Sequence, residues 1–539
     1  MTDADGRSPA RRDAGAVVVR TEPLGGSALS RVIQDRAAPA QWAIAAPDSP
    51  DAWRARIDAT RAAFEGSDWL AAIGDAVSAT GPGRDRLERV ARAGGMVVTT
   101  GQQPGLFGGP IYTWSKALSA LALADTIERE LGIPAAPLFW AATDDADLLE
   151  AQGVWVATAS GAVALRGNAT ALAGTPAARV PQGDLSAQLA VLRDAAGSAA
   201  DAGILDAVDA AYGDPTRTIG DAYLRMLEAT LDPLGIPLLD AAHPAVRRAG
   251  RSVTRAALRH HARVADALAR RDREIRALEL EPQVEEVAGL TPVFLYEPTG
   301  TRRRLTSDEA AAVADDVAAD LGANVLLRPI MEAAIVPTVA YVAGPGELAY
   351  FAQVTALAEA VDARVPVAVP RWSGTLIEPR AQRIADRLGL SGAELSDLHG
   401  VESRLARGAM PAPLRDAIAD LESTLGSAVE RVAAADTSAL IPRGVIDGLG
   451  RRIAHQLARF ERRAQAAVKR RESALMREIA FVSGFFFPGG SRQERALSLI
   501  PTLARYGLDT LEAMRHEAER HAGGLLGTRA RRDVPAPLP

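Results

Sequence analysis

Residues 96 to 150 constrain this chain more than any other stretch: "MVVTTGQQPGLFGGPIYTWSKALSALALADTIERELG" runs straight into "IPAAPLFWAATDDADLLE". A β-branched run, Val97 to Thr100, gives way to a glycine-rich loop. An amphipathic pattern from Pro110 to Leu131 follows, then a second apolar run from Ala136 to Ala142. Strand, loop, helix and strand in that order make a βαβ unit, whose right-handed crossover puts both strands in one parallel sheet. The pattern predicts an α/β protein with a doubly wound parallel sheet.

The rest of the chain divides around that unit. Residues 19–150 read as the first half of the core and 151–234 as a first inserted segment, with a hairpin at 154–166 and a helix near 218–232. The core returns at 235–280, as the strand "GIPLLD" (235–240) and a helix over 244–278. A second, β-rich insert occupies 281–322, centred on "QVEEVAGLTPVFLYEPTGTRRRL" (283–305). Residues 323–371 complete the core: "NVLLRPI" (324–330), "TVAYVAG" (338–344) and "VPVAVP" (365–370) read as buried strands, with a helix over 345–361. From 372 to 483 heptad-like stripes appear, Leu414, Ile418, Leu421, Leu425 and Val432 first, then Ile453, Leu457, Phe460, Ala464 and Ala467. They predict an α-helical antiparallel coiled-coil arm, packed within the chain or serving as a homodimer contact. Residues 484–522 return to the core, while 1–18 and 523–539 read as flexible tails.

Charge and composition narrow the function. A net charge of −6 argues against nucleic acid or an anionic membrane as the main partner, because both select clustered basic residues. With no cysteine in the chain, disulfides, thiolate metal sites and a cysteine nucleophile are excluded. The polar start and the lack of a long apolar run predict a soluble, cytoplasmic protein with no membrane span. His260, His261, His516 and His521 fall on polar helical stretches and read as solvated. No HExxH-type spacing occurs, so a zinc enzyme is not expected and no metal-ligating residue is assigned.

Three clusters carry candidate chemistry. In the first, a glycine turn after a strand lets backbone approach a ligand, and the amino end of the next helix favours a carboxylate or phosphate. Gln102 and Gln103 add amides at the strand's carboxyl end, where open α/β sheets bind ligands. Lys116 lies about one and a half turns into the helix, at roughly 3.6 residues per turn, so it can reach back to the loop. The spacing is neither a P-loop nor a dinucleotide fingerprint, and a tight structural turn is the alternative. In the second cluster, Thr143, Asp144, Asp145 and Asp147 end the next strand. Such acids can grip an ammonium, hold Mg²⁺ through water or act as general base; a helix N-cap explains any one of them alone. The third is "RPIMEAAIVPTVAYVAGPGELAYFAQ" (328–353), with a Gly344-Pro345-Gly346-Glu347 turn between strand and helix. Tyr341, Tyr350 and Gln353 there are candidate pocket residues or core residues, and Arg371 follows a strand end where it can pair with an anion.

These clusters, together with "VPRWSGTLIE" and "FFPGGSRQERALSLIPTLARYG" in this order, resemble the cysteine-adding enzymes of bacillithiol biosynthesis, the BshC family, from Pro23 to Gly507. The resemblance implies a Rossmann-like core with two inserted connecting segments and a coiled-coil arm used for dimerisation. It implies a carbon–nitrogen ligase that joins cysteine to glucosaminyl-malate as an amide, using ATP or another adenine nucleotide, with the need for Mg²⁺ open. Carried onto this chain by motif, Gly101, Gln102, Gln103 and Lys116 line the substrate or nucleotide pocket, with Asp145 and Asp147 facing it. Taking the local chemistry and the resemblance together, Lys116, Asp145 and Asp147 are expected in catalytic places. Thr100, Gly101, Gln102, Gln103, Gly105, Tyr112, Thr143, Asp144, Glu332, Tyr341, Gly344, Gly346, Glu347, Tyr350 and Arg371 take substrate-binding ones. The loop amides and Lys116 would then stabilise developing negative charge, with Asp145 or Asp147 gripping the cysteine ammonium or accepting a proton. Two departures stand out. The family usually reads Glu-Asp-His-Asp where this chain has Asp144-Asp145-Ala146-Asp147, and Gln-Asp near Glu332 and Ala333. Loss of that histidine leaves a second reading, a catalytically altered or silent paralogue that binds a related sugar-malate or thiol metabolite or scaffolds a partner.

Overall fold

The computed structural model describes residues 15–527 apart from Ala199 and Ala439; residues 1–14 and 528–539, where tails are expected, lie outside the described residues. Thirteen strands are found among them: β1 (Val18–Thr21), β2 (Val77–Ser78), β3 (Met96–Gln102), β4 (Ala135–Ala141), β5 (Gly153–Thr158), β6 (Gly161–Arg166), β7 (Leu238–Asp240), β8 (Leu290–Tyr296), β9 (Arg302–Thr306), β10 (Leu321–Ala323), β11 (Thr338–Ala343), β12 (Val367–Pro370) and β13 (Gly374–Ile377). Six of them form the central sheet, in the order β12-β11-β3-β4-β7-β2. All its pairings are parallel except that of β2 with β7.

The expected βαβ unit is β3, the helix Tyr112–Leu131 and β4. β3, β4 and β11 are buried on both faces, as parallel strands sandwiched between helices must be, which is why they read as unbroken apolar runs. The helix is apolar nearly all round and ends at Gly132, whose φ of 69° is the left-handed conformation a helix C-terminus takes. From β3 the sheet grows to β4 and β7 on one side, and later to β11 and β12 on the other. The loops after β3 and β11 therefore diverge and leave a crevice between them.

The structure corrects several sequence expectations. Residues 324–330 are not a strand. Asn324 Oδ1 accepts the N–H groups of Leu326 and Leu327 at 3.1 and 3.0 Å, and a helix with Pro329 in its first turn runs over Arg328–Ile335. The helix expected over 244–278 is three, Pro244–Ala249, Arg251–Arg259 and His261–Ala277, broken at Gly250 and His260. In the second insert, β8, β9 and β10 form a separate antiparallel sheet in the order β10-β8-β9. The hairpin β5-β6 is a two-stranded sheet of its own. Past residue 372 the chain stays with the core, because β13 pairs antiparallel with β1. Residues from 523, expected as tail, continue the helix Asp509–Leu525, and Leu526 is buried. His521, read as solvated, sits with Nε2 2.8 Å from the Pro370 carbonyl oxygen, and burial pulls its pKa down.

The chain separates into two compact units. Among the described residues the core unit holds 15–156, 164–379 and 493–527. The helical unit holds Arg380–Arg492 with Ala157–Val163. In the helical unit, Ala412–Ala435 and Arg443–Arg471 pack side by side. The pairing splits each predicted stripe. Ile418, Leu425, Ile453 and Leu457 are half-buried, whereas Leu414, Leu421, Val432 and Phe460 are exposed. Two helices bury only a narrow seam of each other, and the apolar stripes are wider than that seam.

Candidate active site

A cavity of about 570 Å³ opens at the carboxyl ends of the central strands, wholly within the core unit. Gly101, Gln102 and Gln103 come to it from the β3 loop, Trp140, Asp144 and Asp145 from the end of β4, and Gly344, Gly346 and Glu347 from the turn after β11. Tyr112, Lys116, Tyr350 and Arg371 complete the sequence-predicted group on its wall. The second insert supplies residues the sequence did not suggest: Gln283, Phe294, Arg302 and Arg304, followed by Asn324 and Arg328, with Arg495 from the returning segment. One signal was available. In "TRRRL" the two-residue period of a strand sends Arg302 and Arg304 to one face. Arg303 goes to the other, where it bonds Glu309 at 2.9 and 2.6 Å.

Lys116 is the centre of a buried network. Its ammonium donates to the Gly101 carbonyl at 2.7 Å and Gln102 Oε1 at 2.9 Å, and meets Glu347 Oε2 at 2.5 Å. All three of its hydrogens are thereby used by the protein. It ties the β3 loop to the β11 turn, which is a different role from the charge stabiliser expected of it. Glu347 also accepts the Tyr341 O–H and, at 2.6 Å, the Gly344 N–H. Burial alone would raise its pKa, but the Lys116 charge and these donors hold the carboxyl below its ordinary value. Burial pulls the Lys116 pKa down, opposed by Glu347. Beyond Tyr341, Arg328 donates to the Tyr341 and Tyr350 hydroxyls at 3.0 and 3.1 Å and to Glu332 at 2.9 Å.

The acidic wall is built differently. Arg302 reaches Asp144 at 3.4 Å and Asp145 at 3.9 Å. Burial raises the Asp144 pKa, with Arg302 opposing. Arg371 is spent internally: its guanidinium makes a bidentate pair with Glu494, at 2.8 Å on both arms. By contrast, no hydrogen bond or ion pair is found for the side chains of Gln103 and Arg495 among the described residues.

Six predicted site residues do not reach the cavity wall. Thr100 donates to the Val342 carbonyl at 2.8 Å, joining β3 to β11. Gly105 belongs to a tight turn, where an added Cβ would lie 2.6 Å from Gly109 Cα. That turn is held by the Gly108 N–H on the Tyr212 hydroxyl at 3.0 Å and by Phe107 set edge-on to the Tyr212 ring. Here the structural reading of the glycine loop wins. The amino end of the following helix is also closed by protein, since the Ile111 N–H donates to the Leu497 carbonyl. Thr143 bonds Asp240. Asp147 is exposed and caps the short helix Leu148–Ala151, accepting the Glu150 N–H at 3.1 Å. Glu332 and Tyr341 lie fully buried behind the wall. Among the described residues no group of three or more His, Asp or Glu is placed to hold a metal ion, and no helix is long and apolar enough to cross a membrane.

The crevice lies at the switch point of a parallel sheet, carries several donors and is backed by an ion-pair network, the place where proteins of the Rossmann-like class bind their ligands. Comparison with known proteins narrows the class. Residues 46–372 match the family model "Bacillithiol biosynthesis BshC, N-terminal Rossmann-like domain", and residues 374–524 match "Bacillithiol biosynthesis BshC, C-terminal coiled-coil domain". The chain belongs to the BshC family. Among its relatives, a protein of Solibacter usitatus is 32% identical over 81% of this chain and 85% of its own length. One from Koribacter versatilis is 29% identical over 79% and 82%, and one from Geobacillus thermodenitrificans 26% identical over 83% and 87%. All three are named "Putative cysteine ligase BshC".

Proposed function

We propose that this chain is a carbon–nitrogen ligase that joins the carboxyl group of cysteine to the amino group of glucosaminyl-malate. Its family and the names of its relatives support the ligase and the cysteine. The observation that carries the reading is a single cavity in which unpaired donors, Gln103 and Arg495, face an acid pair, Asp144 and Asp145. Donors of this kind steady negative charge that develops on a carbonyl oxygen. As the C–N bond forms, the attacking amine gives up a proton. Asp144, whose pKa burial raises, takes that proton where a histidine is absent from the wall.

A free carboxylate is a poor acyl donor, so ATP or another adenine nucleotide is part of the proposal. The site fits its phosphates: a Cβ built on Gly346 comes no nearer to any neighbour than 3.8 Å, at Gln283. The first amides of the helix Pro345–Ala360 stand there, where helix amino ends favour anions. Gly346 and Arg495 would hold the phosphates, and the bound nucleotide supplies the leaving group that the carboxylate lacks. The arm's exposed Leu414, Leu421, Val432 and Phe460 support a homodimer.

The absence of histidine among the cavity-wall residues favours one other reading, a binder without turnover. The test is to supply cysteine, glucosaminyl-malate and ATP and to follow the amide product by mass spectrometry. A ligase forms it, and Gln103→Ala and Asp145→Asn abolish it while melting within a few degrees of the wild type. Substrate binding without product would select the binder.

A further inference from the structure

Two buried hydrogen-bond donors on the cavity wall have no acceptor among the described residues: the indole Nε1 of Trp140 and the Nε of Arg302. Trp140 is 1% exposed and the Arg302 side chain 9%. Buried donors without partners are uncommon in native proteins, and each one calls for a physical explanation. Arg302 is also held in place. Its guanidinium lies 4.3 Å above the Phe294 ring, and its outer nitrogens lean toward Asp144 and Asp145 at 3.4 and 3.9 Å. Tyr296 beside it also engages the guanidinium, and Nε is the nitrogen left without an acceptor among the described residues.

From this we infer that Trp140 and Arg302 form the corner of the cavity that takes the α-carboxylate of an amino acid, with Asp144 and Asp145 beside it taking the α-ammonium. The inference rests on the ligase reading above and adds where the amino acid lies. Charge selects the ligand. A phosphate would satisfy both donors but would be repelled by the two neighbouring carboxylates. A neutral hydroxyl would leave those carboxylates facing only Arg302. A zwitterion carries an oxygen pair and an ammonium one carbon apart, and so meets both sets at once.

The experiment titrates the full-length protein, with and without ATP, with L-cysteine, cysteamine (no carboxylate) and 3-mercaptopropionate (no ammonium). Trp140→Phe keeps an aromatic ring but removes the N–H together with the rest of the five-membered ring at a buried position, so Arg302→Lys, which keeps the charge beside Asp144 and Asp145 and removes the Nε, is the cleaner variant. Each variant should weaken L-cysteine and 3-mercaptopropionate by roughly 10- to 100-fold, the scale of a hydrogen bond to a charged group, and leave cysteamine within about twofold. If Trp140→Phe fails to fold, Arg302→Lys carries the same comparison. Equal loss for all three compounds, or L-cysteine affinity unchanged while turnover persists, overturns the corner alone and assigns these donors to buried water. A wild-type protein that neither binds L-cysteine nor makes product refutes the ligase reading, and the corner falls with it.

Discussion

Lys116→Met is the most informative single perturbation of the core. The Lys116 ammonium is shared by the Gly101 carbonyl, Gln102 Oε1 and Glu347, and its side chain is only 5% exposed. Removing one member of a buried ion pair costs about 3–5 kcal/mol, because the partner's charge is left uncompensated. Here Glu347 keeps the Tyr341 O–H and the Gly344 N–H, which puts that part near 3 kcal/mol, about the lower bound. The Gly101 and Gln102 oxygens lose a donor as well, adding about 1 kcal/mol. The expected loss is therefore about 4 kcal/mol. Adding Glu347→Gln removes the stranded charge and should return about 2 kcal/mol, a coupling typical of residues in one network. Urea unfolding followed by tryptophan fluorescence reads this directly, since all seven tryptophans lie in the core unit. The midpoint should fall with little change in slope. A loss under about 1 kcal/mol, or a double variant no more stable than Lys116→Met alone, would refute the network and return Lys116 to the ligand.

Three further predictions use the same preparations. The folded-state pKa of Glu347 is below its ordinary 4.5, so its stabilisation is present above that value and lost as pH falls through the lower folded one. Glu347→Gln should flatten the acid side of the stability profile, and identical profiles below about pH 4.5 would contradict the depressed pKa. Gly108 has a φ of +83° and an added Cβ would sit 2.7 Å from Trp114 Cη2; Gly108→Ala should cost about 2–3 kcal/mol by urea unfolding, and a cost near zero would mean the turn is not packed as described. Leu421→Glu with Phe460→Glu should turn a dimer into a monomer in light scattering without moving the tryptophan midpoint. Dimers that persist would clear those faces of the role.

The parallel core was legible because strands buried on both faces leave unbroken apolar runs, and the glycine loop marked where β3 ends. Residues 324–330 misled for the same reason: a short apolar run has no period that separates strand from helix, and the turn that leads into the helix is held by the Asn324 side chain. The candidate site was legible in its three loops but not in its far wall. Arg302, Arg304 and Phe294 reach the cavity only because a separate antiparallel sheet folds over it, a long-range fact that spacing does not carry. Sequence named Asp144, Asp145 and Asp147 together. Geometry divides them, leaving two on the wall while Asp147 satisfies a helix end. For Lys116 the sequence supplied reach but not occupancy, since Gly101 and Gln102 lie in the nearby β3 loop while the third acceptor, Glu347, comes from a turn far along the chain.

Hydrogen exchange with cysteine, glucosaminyl-malate and ATP added tests the single cavity most directly. Slowed exchange should appear together in peptides covering 101–103, 142–147, 283–284 and 344–347, all flanking the crevice between the β3 and β11 loops. Protection confined instead to the groove at the opposite end of the sheet, around Phe64, Trp69 and Met96, would contradict it.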